Sequence, residues 1–593
     1  MNVLGLGGLL GHDSNVSLII DNKIIACAQE ERFTRIKHDA SFPINAINDC
    51  LKIGNINPED IDVVVFAEKP FENYFTQLFG TSYASSSYIG KKLTSKLHNK
   101  ETFFEKEAKK VFPNAKLKYS WHHFSHAVAA YYSSDFEEAA FLCVDGKGEY
   151  ANASIGYIDS KKALITHEVP YANGLGLLYT VISHFLGFPS FGSEYKVMGL
   201  APYGKPIYVD NIKTLYTEYE GGAIKLIKNP GFKPDDIKEH LPWLAERLNL
   251  PIRDPKDELK QIHADISASI QAVFEEQILK MANFAKLQFS TENLLFCGGC
   301  AQNCVSAGKL RDKKIFKNIF NSPVGGDMGS SLGAALNYQH QTGGVDRSKL
   351  DFRGYYLGSS PGRLTISGAN DYLVTPQIEL FQYMADELAN GKIIAWVQDG
   401  MELGARALGA RSILANPLVP NIQSDMNLKI KFRESFRPFA PAILIEDTNK
   451  WFDIDQPSNF MQFTAFLKPE LRFQTPTNFD NFKENLIYPR CEIPSVVHVD
   501  YSARLQTIAK NDHPKFHQLL EKFKEITGIP ILINTSFNVN GQPIIRTADE
   551  AWDCFINTDI DLLVIDDKIY RNPFDKTKNE KLQWLKQFEK YSR

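Results

Sequence analysis

The sequence predicts an α/β protein with more than one domain. Short apolar runs rich in β-branched residues alternate with longer helical patterns. Eight thinly spread cysteines suggest no disulfide framework. A length of 593 residues exceeds what one core supports, so roughly two to four domains are expected.

Taken in order, NVLGLG is the first predicted strand. VSLIID and KIIACAQ follow as a hairpin that turns at Asp21-Asn22. DVVVFA, AAFLCVD and NLLFC supply further strands, and periodicity predicts helices over 125–132, 174–186, 264–284 and 329–339. Between Tyr203 and Pro255 the pattern weakens and Pro, Gly and charge accumulate, which reads as an insertion over the surface. A second break spans Gln341 to Arg363. Beyond it come a helix in IELFQYMADELANG, a strand in KIIAWVQ, a loop rich in Gly and Arg, and strands in GIPILINTSFN and DLLVIDD. The resulting partition is a domain over 1–345, a linker over 346–368 and a domain over 369–593.

Lys and Arg total 66 against 70 Asp and Glu, a net charge of −4. That balance gives no global attraction to a nucleic-acid polymer or an acidic membrane, although a local basic pocket can still hold a small anion. The N-terminus lacks a basic leader and no apolar stretch is long enough to span a bilayer, so a cytoplasmic setting is expected.

The segment SWHHFSHAVAAYY places three of the chain's 14 histidines within five positions. On a helix His122 and His126 share a face, the spacing by which paired imidazoles chelate a metal, whereas His123 points elsewhere. Asp145 at the tip of AAFLCVD and Asp327 in PVGGDMGSSLGAA can complete a four-donor set. Two imidazoles with two carboxylates suit Fe(II), Zn or Mn better than Mg or Ca. The alternative is that the histidines pack a helix and the aspartates close turns.

CGGCAQNC offers a CxxC, but it follows a strand directly and has no second CxxC to complete a zinc ribbon. It reads better as a strand-to-helix turn whose N–H groups face phosphate, with Gly298, Gly299 and Asn303 as candidates. Gly325 and Gly326 begin a second such loop, and GLGGLLGHDSN is a third. Together they suggest a nucleotide cleft. In the second domain Arg406, Arg411, Lys429, Lys431, Arg433, Arg437, His498 and Arg504 are interleaved with Phe and Pro, which suggests an anion pocket rather than a solvated basic face.

At this point the chain closely resembles the O-carbamoyltransferases of the nodulation protein U, cephalosporin and tobramycin type. The resemblance is carried by HDSNVSL, QEERFTRIKHDASFP, HHFSHA, DGKGE, SEYKVMGLAPYG, GGCAQN, GGDMGSSLGAA, RALGARSILA, FRESFRPFAP, HVDYSARLQT and INTSFNVNGQPI. It implies an N-terminal actin-like (ASKHA) domain of two ribonuclease-H-like subdomains and a C-terminal YrdC-like α/β domain. It also implies ATP, with Mg, and carbamoyl phosphate as substrates, a carbamoyladenylate intermediate and a small hydroxyl-bearing acceptor.

By motif match His122, His126, Asp145 and Asp327 correspond to ligands of a metal, iron foremost. His12 corresponds to the residue that takes the acceptor's proton. Lys147, Gly148 and Lys196 join the glycine loops at the nucleotide. Arg406, Arg411, Lys431, Arg437, His498, Arg504 and Asn534 fall at the carbamoyl phosphate site. Two departures stand out: the family's FGPRALG is LGARALG here, with Ala405 for a proline, and GGVALN is GGCAQN. Two alternatives stay open, a threonylcarbamoyl-type transferase acting on tRNA and a non-enzymatic actin-like nucleotide sensor. The acceptor, which the 203–255 stretch is expected to help select, and the oligomeric state, a homodimer included, are not fixed by the sequence.

Overall fold

The runs read as strands before residue 345 pair into two sheets of one design. The computed structural model describes residues 1–8, 11–69, 102–149, 151–170, 174–189, 192–231, 234–476, 482–574 and 576–589. The chain divides into two units, residues 1–34 with 38–352, and residues 35–37 with 353–593.

In the first unit, β1 (Asn2–Gly7), β2 (Asn15–Ile20), β3 (Lys23–Gln29), β4 (Val63–Phe66) and β5 (Lys116–Tyr119) form one sheet in the order β3-β2-β1-β4-β5. The first three make an antiparallel meander, and β4 and β5 add in parallel beside β1. Asp21 and Asn22 both adopt positive φ, 49° and 66°. This is the left-handed turn that matches strand twist in a two-residue hairpin.

The same plan recurs with β6 (Glu138–Val144), β7 (Ala151–Asp159) and β8 (Ala163–Pro170). A small hairpin of β9 (Tyr216–Glu218) and β10 (Ile224–Leu226) intervenes before β11 (Asn293–Cys297) and β12 (Asn318–Asn321). The second sheet runs β12-β11-β6-β7-β8, with the meander antiparallel and β11 and β12 parallel. The mixed α/β class is as expected. The two sheets repeat one strand order, three antiparallel strands joined by two parallel ones.

Among the described residues of this unit, the helices of seven or more residues are α1 (Ile44–Gly54), α2 (Phe103–Val111), α3 (His122–Ser133), α4 (Leu175–Phe185), α5 (Glu194–Leu200), α6 (Pro234–Leu248), α7 (Gln261–Gln288), α8 (Cys304–Asp312) and α9 (Ser330–Thr342). Helix α9 follows the second sheet yet packs on the first. A Cβ on Gly333 would lie 1.8 Å from the Ser125 carbonyl oxygen of α3, and one on Gly5 2.0 Å from that of Ser331. Only hydrogen at these two positions permits such backbone contact. Ser17 and Ser331 add a buried hydroxyl–hydroxyl bond of 2.7 Å. The segment 203–255, expected as an insertion over the surface, has secondary structure and buried residues of its own. It holds β9, β10 and α6, and α6 buries Ile237, His240, Leu244 and Leu248 along one face.

The second unit is built on an eight-stranded mixed sheet. Its strands are β13 (Leu373–Val374), β14 (Ile394–Val397), β15 (Arg411–Ala415) and β16 (Ala440–Leu444), then β20 (Gln506–Ile508), β21 (Ile531–Ser536), β22 (Leu562–Ile565) and β23 (Lys568–Arg571). The order is β13-β23-β22-β14-β15-β21-β16-β20, and β17 (Phe452–Asp453), β18 (Thr464–Leu467) and β19 (Ser502–Arg504) form a separate small sheet. Helices α10 (Leu380–Ala389) and α11 (Pro514–Thr527) cover one face through Met384, Leu388, Phe516, Leu520 and Phe523. Trp552 and Phe555 of α12 (Ala548–Ile556) join the core on the other face.

His513, which precedes α11, is 2% exposed and neither ring nitrogen has a hydrogen-bond partner. Burial lowers its pKa from 6.5 to about 4. The unfolded chain therefore takes up this proton first as pH falls. The His513 contribution to stability should be constant above about 6.5 and decline toward pH 4, by roughly 3 kcal/mol in all. Urea unfolding at pH 7 and pH 4.5 should show a decline smaller in His513→Gln than in the parent, by most of that amount.

Candidate metal centre and active site

Each of the four predicted donors sits where an element ends. His122 and His126 occupy the first turns of α3, one helical turn apart, and both are fully buried. Asp145 follows the last residue of β6. Asp327 opens the turn between β12 and α9. Gly299 keeps space for Asp145, since a Cβ there would come within 2.9 Å of its Oδ1.

The four side chains converge. His122 Nε2 lies 3.0 Å from His126 Nε2, 3.3 Å from Asp145 Oδ2 and 3.3 Å from Asp327 Oδ1. His126 Nε2 lies 3.1 Å from Asp145 Oδ2 and 3.5 Å from Asp327 Oδ1. One donor atom from each lies within 4.8 Å of all the others. A cation held about 2.0–2.2 Å from N and O donors keeps them roughly 3.0–3.6 Å apart, so these separations fit a shared ion.

Two further observations agree. Two protonated imidazole nitrogens 3.0 Å apart would repel, and the Nδ1 atoms of both rings are buried without a hydrogen-bond partner. Electrostatics point the same way. Burial acts against charge on every member, but the two carboxylates raise His126 to about 9 and His122 well above its usual value. The imidazoles in turn hold Asp145 and Asp327 below the carboxylate range despite burial. Two buried anions demand positive charge, which protons or a divalent cation can provide.

The surrounding groups were not visible in the sequence. The Glu149 carboxylate accepts from the His122 backbone N–H at 2.9 Å and from that of Lys69 at 3.2 Å. It thereby caps α3 in place of its N-cap residue Trp121. Glu68 Oε1 is 3.8 Å from His122 Nδ1, and burial raises its pKa to about 7. His123 turns away as expected: its Nδ1 meets Ser154 Oγ at 2.6 Å, and burial lowers it to about 3.

His12 stands beside the quartet, with Nε2 3.5 Å from Asp327 Oδ2 and Nδ1 2.8 Å from Asp13 Oδ2. Burial opposes its protonation, but the Asp327 and Asp13 carboxylates prevail and raise it to about 9. Asn15 fixes the approach. Its Nδ2 donates to the carbonyls of Asp13 and Asp327, and its Oδ1 accepts from Ser331 N–H. Leu9 and Leu10 of the GLGGLLGHDSN loop lie outside the described residues.

The glycine loops have the predicted strand-to-helix form. After β11, Gly298 takes φ 87°, a 3-10 turn spans Gly299–Gln302, and Asn303 caps α8 by accepting from Ser306 N–H. The Asn303 carboxamide also exchanges hydrogen bonds with Gln271 of α7. Gln302, one of the departures from the family pattern, lies against the second loop, since a Cβ on Gly326 would come 2.3 Å from its Nε2. Gly325 bonds the Ser322 carbonyl, and Gly148 bonds that of Ala151. Lys147 lies between Asp145 and Glu149, and burial lowers its pKa. Lys196 rests over the Phe188 ring, 5.5 Å from its centroid.

In the second unit the candidates divide by what their donors meet. Arg411 is fully buried and gives its guanidinium to the carbonyls of Gln398, Asp399, Ala410, Arg546 and Ser359. Lys431 Nζ donates to the carbonyls of Ser536 and Asn538, and to Asn538 Oδ1. Asn534 Nδ2 donates to Gln506 Oε1 and the Ala407 carbonyl, while its Oδ1 is buried and unpartnered. These contacts, with Glu402 Oε1 accepting from the N–H groups of Leu408, Ala410 and Arg411, pin the loop that carries Arg406. Arg437 pairs loosely with Glu434 at 3.8 Å. Arg504 Nε donates to the Met461 carbonyl, and His498 Nδ1 accepts from Val499 N–H.

Residues 2–336 match the carbamoyltransferase N-terminus and residues 385–572 the carbamoyltransferase C-terminus. The chain belongs to the carbamoyltransferase family, and it is an enzyme of that class. The protein sll1178 of Synechocystis sp. is 38% identical over 99% of both chains. Nodulation protein NolNO of Sinorhizobium fredii is 33% identical over 95% of this chain and 79% of its own. Nodulation protein U of Bradyrhizobium diazoefficiens is 26% identical over 91% and 93%. Membership removes the non-enzymatic sensor reading. No helix among the described residues is long and apolar enough to cross a membrane.

Proposed function

We propose that the enzyme is an ATP-dependent O-carbamoyltransferase that uses carbamoyl phosphate and delivers the carbamoyl group, through carbamoyladenylate, to a hydroxyl of a small-molecule acceptor. In balance, carbamoyl phosphate, ATP and one water give carbamoyladenylate, phosphate and pyrophosphate. The acceptor hydroxyl then displaces AMP and releases one proton. The observation that carries this reading is the convergence of His122, His126, Asp145 and Asp327 at 3.0–3.5 Å with His12 adjoining.

A divalent metal held by those four residues, iron foremost and Zn or Mn as alternatives, would supply Lewis acidity toward phosphate or carbamoyl oxygens. A cation at the quartet would offset the Asp327 charge that raises His12, and His12, then neutral, accepts the hydroxyl proton at Nε2, the nitrogen that faces the quartet. Gly298, Gly299, Gly325 and Gly326 line turns where backbone N–H groups can meet nucleotide phosphates, with Mg accompanying ATP. In the second unit, read here as YrdC-like, Arg406, Arg437, His498 and Arg504 are the candidates for the anionic donor. Arg411, Lys431 and Asn534 hold the surrounding loops.

The test gives purified protein carbamoyl phosphate, ATP and a panel of aminoglycosides, oligosaccharides and nucleotides. AMP and pyrophosphate should appear together with an acceptor heavier by one carbamoyl group. ATP left unconsumed across the panel would sink the proposal, and ATP consumption that depends on tRNA would favour the threonylcarbamoyl alternative.

A further inference from the structure

We propose that Asp13 and His38 form a positioning pair for His12, an inference that rests on reading His12 as the acceptor of the hydroxyl proton. Asp13 bridges two imidazoles: its Oδ2 is 2.8 Å from His12 Nδ1 and its Oδ1 is 2.9 Å from His38 Nδ1. An ionised carboxylate only accepts hydrogen bonds, so each ring must present N–H at Nδ1. One side chain therefore sets the protonated nitrogen of both histidines. In His12 this leaves Nε2 toward Asp327 as the nitrogen that can exchange a proton with substrate. The same relation, an aspartate holding a histidine in one tautomer and one orientation, serves the hydrolase triads.

The surroundings are built to hold Asp13 still. It is 5% exposed, and a buried carboxylate needs donors on both oxygens, which the two imidazoles supply. Its φ of 60° lies in the left-handed region, strained for a residue other than glycine and a recurring mark of functional sites. Its carbonyl accepts from Asn15 Nδ2 at 2.7 Å, and the same amide group reaches the Asp327 carbonyl at 2.8 Å, so Asp13 and Asp327 share one tether.

His38 is anchored in turn. Its backbone N–H donates to Glu31 Oε2 at 3.0 Å, and Gly192 spares its ring, because a Cβ there would come 3.1 Å from Nε2. The two rings meet edge to face with centroids 6.5 Å apart. His38 bonds the same carboxylate that holds His12. Its part is to fix the second carboxylate oxygen so that the first cannot rotate away.

The test reads the His12 Nδ1–H directly, by NMR of full-length protein carrying 15N-histidine, with any paramagnetic iron exchanged for zinc. The resonance is assigned by its loss in His12→Gln. A hydrogen bond to a buried carboxylate predicts a downfield proton, slow to exchange with water. Asp13→Gly, which tolerates the positive φ, should abolish it. His38→Leu should speed its exchange at least about 10-fold, and His38→Asn, whose carboxamide can still donate to Asp13 Oδ1, should restore it. A signal unchanged in Asp13→Gly overturns the proposal, as does a His38→Leu protein indistinguishable from the parent. Neither carbamoyl phosphate nor an acceptor is present, so this outcome is separate from the success or failure of the carbamoylation assay.

Discussion

In His126→Ala, affinity for the proposed metal should fall by about 100-fold or more, while His123→Ala, three positions earlier on the same helix, should leave it unchanged. Loss of an outer partner of a ligand typically costs about 10–100-fold in affinity, so loss of one of four direct donors belongs at or above that limit. His126 is also the centre of the charge balance, since its Nε2 lies within 3.5 Å of both carboxylates. Its removal leaves buried anions short of a partner, an effect worth about 3 kcal/mol or more in stability. Elemental analysis after dialysis against a chelator, paired with thermal melts, reads both effects. His123 faces Ser154 instead, and its ring should matter only for packing. Equal metal loss in both variants would reject the ligand set.

That control is informative because one feature of the site was legible in sequence and its neighbours were not. The i, i+4 spacing of His122 and His126 survives any packing, since helix geometry alone brings them together. The pairing of Asp145 with Asp327 rested on reading strand tips and glycine turns, both local signals. Glu68, Glu149 and His38 had no such signal. Glu149 caps α3 from 27 positions away, which is also why the helix begins at His122 rather than at the expected Ser125: no Ser, Thr or Asp stands at its N-cap.

Strands β1, β3 and β11 run over the residues expected, because short apolar stretches bounded by turn residues leave little freedom of register. Helix α6 was missed because Pro242 lies inside it and interrupts an otherwise regular buried stripe. Arg411 and Lys431 mark the limit of reading charge from composition. A cation whose donors end on buried carbonyls and one that faces a phosphate look the same in a sequence. Only the fold separates them.

His12→Ala should lower carbamoyl transfer to an alcohol by about 10²–10⁴-fold, while metal content and carbamoyl phosphate-dependent exchange of pyrophosphate into ATP stay near parental levels. The first effect follows from the chemistry of the nucleophile. A hydroxyl attacks poorly until its proton is taken, and His12 Nε2 is the imidazole nitrogen at the edge of the quartet, 3.5 Å from Asp327. The unchanged readings follow from its place. The four proposed metal donors do not include His12, and under the proposed route adenylation involves no acceptor proton. Hydroxylamine separates a lost base from a distorted site. It is a strong nucleophile that attacks without deprotonation, so His12→Ala should still pass the carbamoyl group to it at a rate within a few-fold of the parent. Equal loss with alcohol and hydroxylamine would mean that His12 shapes the pocket or holds the leaving group, and the assignment of the proton acceptor would have to move elsewhere.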